Sequence, residues 1–150
     1  MFVAAYAPDE GETIPMLSDR GAAMPGRAAI LFGDDGWSTL DSTLFGSAVA
    51  GDLPERTAEK LAASQRPTHG RCFTTHAGHG AWHELPSSYL VSAEDHILDP
   101  DLQRWFAGRM GATVTELHSS HLAPLSHPDD VADAIAAMMP QAVGDTSAPA

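Results

Sequence analysis

Along residues 87–139 the apolar positions alternate between short continuous runs and helical stripes. Residues 87–92, centred on Tyr89, Leu90 and Val91, lie between Pro86 and the polar group Glu94, Asp95 and His96, which predicts a strand. Over 101–110, Leu102, Trp105, Phe106 and Met110 recur on one helical side. Asp99 stands there as N-cap, Pro100 at the first helical position and Gly111 as the stop. Residues 112–117 read as a second strand, with Ser119, Ser120 and His121 in the loop after it. Residues 128–139 read as a helix opened by Ser126, with Asp129 and Asp130 at its positive end and Val131, Ile135 and Met138 or Met139 turned inward. Strand–helix–strand–helix is the order of a parallel sheet with crossover helices.

The earlier part is punctuated more often. Residues 2–7 form an apolar run broken by Pro8 and the acidic stretch 9–12, a buried strand leading into a loop. From 13 to 27, Pro15, Gly21, Pro25 and Gly26 predict loop, and 28–32 a short strand or turn closed by Gly33-Asp34-Asp35-Gly36. Short helices are predicted at 42–49 and 54–64, the second with Leu53, Ala58, Leu61 and Ala62 on one face and Pro54 at its first turn. Gln65-Arg66-Pro67 ends it, and a stretch rich in His and Gly follows to His83. Small helices between Gly and Pro fit a cap laid over a larger body. The expected organisation is core strand and loop at 1–12, helical cap at 13–83, core at 84–139 and disordered tail at 140–150. The class is α/β with about three parallel strands, fewer than a stable doubly wound sheet needs, so further strands are expected beside them.

Composition supports folding: 43% hydrophobic and 19% charged residues match a soluble globular domain rather than a disordered chain. Eight Lys and Arg against twenty Asp and Glu give a net charge of −12, which repels phosphate backbones and anionic headgroups. Neither nucleic acid nor a membrane surface is an expected partner. One cysteine, Cys72, excludes an internal disulfide and a cysteine-based zinc site. With no signal-like segment and no long apolar stretch, the expected location is the cytoplasm.

In open α/β sheets ligands sit beyond the carboxyl ends of the strands, so the loops after Ser92 and Leu117 matter most. They carry Asp95 and His121. A carboxylate that orients one ring nitrogen, leaving the other to take a proton from a nucleophile, is what acyl transfer requires. From spacing alone, Asp95 capping a loop and His121 serving the structure account for the pattern equally well.

The segment from Trp82 and Pro86 through Tyr89 to Asp95, then Gln103-Arg104, Arg109-Met110-Gly111-Ala112, Ser120-His121 and Ser126-His127-Pro128 resemble the C-terminal half of the α/β-hydrolase superfamily. The similar branch is that of esterases related to plant hydroxynitrile lyases. Residues 3–12, Asp52-Leu53-Pro54 and Gln65-Arg66-Pro67 resemble its pre-cap strand and cap segments, so the likeness runs from residue 1 to about 139. It implies Asp95 as triad acid, His121 as triad base, ester hydrolysis of a small molecule in the complete enzyme, and no cofactor. Cleavage of hydroxynitriles by the same groups is the alternative chemistry. The family's serine sits on a G-x-S-x-G elbow before this region, and Ser38, Ser47, Ser87 and Ser120 lack its glycine pattern. The chain is therefore expected to supply two-thirds of a triad and to be inactive alone. It would be a half-domain complemented by a separately encoded N-terminal half, a self-associating fragment, or a truncated gene product.

Other side chains invite a role. His69, Cys72, His76, His79 and His83 are close enough in sequence to suggest a metal-binding cap, but Gly70, Gly78 and Gly80 break any helix that would align them. The expectation is solvated histidines and no metal. Trp82, Phe73 and Trp37 are candidates for an apolar pocket, with ordinary packing the alternative, and His96 for its mouth; His118 is assigned nothing.

Overall fold

The computed structural model describes residues 1–138. Met139 and the predicted tail at 140–150 lie outside the described residues. The core is a parallel three-stranded sheet in the order β1 (Phe2–Val3), β5 (Ser88–Ser92), β6 (Thr113–Leu117), with Phe2 opposite Tyr89 and Ser92 opposite Leu117. The central strand is covered on both faces, so Tyr89, Leu90 and Val91 are fully buried. On one face Tyr89 and Val91 pack with Leu102 and Phe106 of α5 (Pro100–Arg109) and with its C-cap Met110; on the other Leu90 packs with Ala123 of α6 (Ala123–Ser126) and with Val131 of α7 (Pro128–Ala136). Alternation along one strand thus feeds two helical layers.

Local chemistry sets the limits of these elements. Asp99 accepts from Asp101 N at the start of α5, and Gly111, with φ of 59°, follows its end. Trp105, expected inward, is partly exposed beneath the Arg20 and Arg109 guanidinium groups. Ile135, also expected inward, is half exposed, while Val131 and Ala134 of the same helix pack in the cluster with Leu90, Val3 and Leu117. The predicted strand over 2–7 pairs only at Phe2 and Val3: Ala4 adopts φ of 42°, and after its N–H bonds Leu90 O the chain leaves the sheet. The Tyr89 hydroxyl then bridges the N–H and C=O of Ala5.

The cap is mixed rather than purely helical. It holds α1 (Ile14–Ser18), where loop was expected, α2 (Phe45–Val49), α3 (Glu55–Ser64) and α4 (Arg71–Thr74). It also holds an antiparallel sheet of β2 (Ile30–Phe32), β3 (Trp37–Leu40) and β4 (Thr68–His69). Its small core joins Ala29, Phe45, Ala48, Val49, Ala58 and Ala62 to Ile97 and Leu122 of the core loops. Gly26 seats the cap: its N–H donates to His96 O at 2.8 Å, and a Cβ there would stand 2.6 Å from that oxygen. At the opposite end of α5, Arg109 donates to both Glu12 carboxylate oxygens, at 3.1 and 2.8 Å, and to Ala7 O, tying the segment after β1 to the core. Among the described residues no helix is long and apolar enough to cross a membrane.

Candidate active site

The turn after β5 buries Asp95, which is 1% exposed. Its Oδ1 accepts from Ile97 N at 2.8 Å and Leu98 N at 3.0 Å; its Oδ2 accepts from Gln103 Nε2 at 3.0 Å and His121 Nδ1 at 2.7 Å. Four donors are what lets a carboxylate stay ionised away from water. Gln103 is itself fully buried and satisfied, donating also to Leu98 O and accepting from Ser92 N, each at 3.0 Å.

Because an ionised carboxylate only accepts, the pairing fixes the proton of neutral His121 on Nδ1 and leaves Nε2 with its lone pair. The His121 side chain is 30% exposed, and no hydroxyl or thiol of the described residues hydrogen-bonds to Nε2. Such a pair can take a proton at Nε2 while the carboxylate stabilises the imidazolium that forms. Both groups stand on loops at the carboxyl ends of adjacent parallel strands, where the sequence led them to be sought.

The loop carrying His121 is crowded by hydroxyls, and all of them are occupied. Ser119 Oγ donates to Ser92 Oγ at 3.1 Å, and Ser120 Oγ donates its single proton to Asp52 Oδ1 and lies 3.0 Å from Val49 O. Ser120 N donates to Asp52 Oδ2 at 2.9 Å. Burial works against the charge on Asp52, but the hydroxyl and N–H of Ser120 and the hydroxyl of Ser126 outweigh it and hold this carboxyl below its ordinary range.

A cleft of ≈ 130 Å³ opens between Ser47, Gly51 and Asp52 of the cap and Glu94, His96 and Ser120 of the core loops. His96 is at its wall, with Nδ1 bonded to Ser47 O at 3.0 Å. Trp82 lies elsewhere: it packs against the core cluster, donates to Pro8 O at 3.3 Å and sits under the guanidinium of Arg109 at the end of α5, so it does not line this cleft. Phe73 is half-buried in α4 and also outside it. Trp37 packs edge-on against His69 and lines an open apolar hollow of ≈ 550 Å³ with Leu31 and Phe32, the latter 73% exposed.

The histidine-rich stretch is dispersed among separate partners: His83 bonds Asp9 at 2.8 Å, His79 approaches Glu84 at 3.4 Å, and Cys72 is exposed. Among the described residues no three His, Cys, Asp or Glu side chains stand where they could hold a metal ion. Two polar residues at the site, named in the sequence only within the segments Gln103-Arg104 and Asp52-Leu53-Pro54, had been given no role. Gln103 carried a signal, being three residues before Phe106 and seven before Met110, a polar group in an apolar stripe. Asp52 carried none, because its partner Ser120 is 68 residues away.

The model described as the alpha/beta hydrolase family matches residues 2–134. No curated protein matches. Among solved structures, a pyrethroid hydrolase from Sphingobium faniae JZ-2 is similar with a TM-score of 0.75 at 22% identity, over 90% of this chain and 58% of that one. Polyneuridine aldehyde esterase is similar with a TM-score of 0.75 at 16% identity, over 91% of this chain and 60% of that one. At these identities the likeness is one of fold, and the chain spans under two-thirds of the length of either neighbour.

Proposed function

Since the chain belongs to the alpha/beta hydrolase family, we propose that Asp95 and His121 are the acid and base of a Ser–His–Asp triad that hydrolyses a small carboxylic ester. The observation that carries this reading is the 2.7 Å bond between buried Asp95 and His121, which leaves Nε2 without a partner among the described residues. His121 Nε2 takes the hydroxyl proton of a serine as that oxygen attacks the ester carbonyl and returns it to the leaving alkoxide; it then takes a proton from water as the water attacks the acyl-serine, and returns that proton to the serine as the acid is released. Asp95 remains ionised throughout. Likeness of fold to proteins named as an esterase and a hydrolase supports the ester class.

The nucleophile and oxyanion donors belong, in this reading, to a segment beyond these 150 residues, in the same polypeptide or in a complementing half. Two observations support it. Ser92, Ser119 and Ser120 are buried and bonded to other groups, and no serine of the sequence has the glycine-flanked elbow pattern.

The test is turnover of short nitrophenyl esters. The chain by itself is expected to show none, and the same residues joined to a nucleophile-bearing half are expected to lose activity about 10⁶-fold on His121→Ala. Turnover by the chain alone that His121→Ala abolishes would refute the external nucleophile. Activity of the joined form that survives His121→Ala would refute the role of His121.

A further inference from the structure

The residues on either side of His121 are held from the cap. Leu122 N donates to Val49 O at 3.1 Å and Ser120 N to Asp52 Oδ2 at 2.9 Å, while Ser120 Oγ donates its single proton to Asp52 Oδ1 and lies 3.0 Å from Val49 O. One residue earlier the loop belongs to the core: Glu94 N donates to Ser119 O, and Ser119 Oγ to Ser92 Oγ, both at 3.1 Å. The change from core to cap falls between Ser119 and His121. Among the described residues, the one hydrogen bond of the imidazole is to Asp95 in the turn after β5.

One hydrogen bond fixes the distance of a ring but constrains its backbone little. A displacement of about 1 Å in the loop is enough to stretch a 2.7 Å bond beyond hydrogen-bond range. Asp52 is suited to prevent that: its side chain is only 17% exposed, it offers both carboxylate oxygens to Ser120, and His127 Nδ1 lies 3.6 Å from its Oδ2. Resting on the reading of His121 as the general base, we propose that Asp52 is a positioning residue, which holds Ser120 from the cap and thereby keeps the His121 ring aligned with Asp95. The base then takes its geometry from the cap as much as from the sheet, and a displaced cap carries the base out of line.

The experiment is NMR on the full chain with ¹⁵N-labelled histidine, read through the ring nitrogen shifts, which tell the nitrogen that carries the proton, and the downfield Nδ1 proton shared with Asp95. In the unaltered chain His121 is expected to hold its proton on Nδ1. Asp52→Ala, folded by circular dichroism, is expected to lose the downfield signal and to mix the two tautomers, and Ser120→Ala to weaken the signal. The double variant is expected to be no worse than Asp52→Ala alone, since both changes remove one contact. Glu116→Gln, which breaks the surface pair with Arg104 at 2.5 Å, serves as control and should leave the signal intact. An unchanged signal in folded Asp52→Ala overturns the proposal. Should that variant fail to fold, Asp52→Asn, which keeps one acceptor, is judged the same way: a weakened signal supports the role and an unchanged one overturns it. Absence of an Nδ1-protonated His121 in the unaltered chain would overturn the dyad itself and this inference with it, whereas an effect missing only in the variants refutes Asp52 alone.

Discussion

Gln103 Nε2 stands 3.0 Å from Asp95 Oδ2, on the oxygen that also accepts from His121. The amide is therefore the third group in the hydrogen-bonded set around Asp95, and in the proposed reading it positions the acid without meeting a reacting atom. Gln103→Leu would leave Ser92 N and Leu98 O unpartnered and take one donor from Asp95. The combined loss is expected to be about 3 kcal/mol, seen as a lower urea midpoint with an unchanged slope. A variant as stable as the unaltered chain would show that the amide is dispensable.

Gly26→Ala should loosen the cap from the core. Its Cβ would meet His96 O at 2.6 Å and Ala48 O at 3.0 Å, two backbone atoms with little room to retreat. The expected cost is about 1–3 kcal/mol, with faster amide exchange at residue 26 and at Ile97. Unchanged exchange at both would show that the seat is more yielding than its distances imply.

The pair Glu12–Arg109 gives an acid-side signature. Bonds from the Arg109 guanidinium hold the Glu12 carboxyl below its ordinary value of 4.5, against a smaller opposing effect of burial. A depressed carboxyl contributes stability above its unfolded pKa and loses it as pH falls through the folded one. Melting temperature should therefore drop on acidification below about 4.5 more steeply in the unaltered chain than in Glu12→Gln. Parallel curves would remove Glu12 from the acid response.

Zinc titrated into the chain is expected to give no saturable heat by calorimetry. His83 is engaged with Asp9, and His79 and Cys72 share no convergent set of ligands. A saturable heat lost on His79→Ala would assign the stretch a metal after all.

Residues 87–117 were legible because each element there is specified locally. Asp99, Pro100 and Gly111 bound α5 within its own sequence, and the run Tyr89-Leu90-Val91 is apolar because a central strand has no solvent face. Asp95 and His121 followed from topology, being the polar groups just past two adjacent strand ends. The cap was less legible because its sheet does not follow the rule of apolar inside and polar outside. Leu31 and Phe32 of β2 are exposed while Ser38 of β3 is buried, its hydroxyl spent on Thr68 O at 3.1 Å. Pairings such as Asp52 with Ser120 are set by how the cap lies on the core, which no local pattern encodes.

The insertion of the whole cap between β1 and β5 also bears on how the sheet assembles. The backbone of Ala5 meets the Tyr89 hydroxyl across 84 positions of sequence, whereas β5 and β6 are joined through one ten-residue helix. Closing the longer loop costs more entropy before any contact repays it. In kinetic terms β1 is expected to join the sheet late, so that weakening it, as by Phe2→Ala, hastens unfolding and leaves the folding rate nearly untouched in stopped-flow measurements.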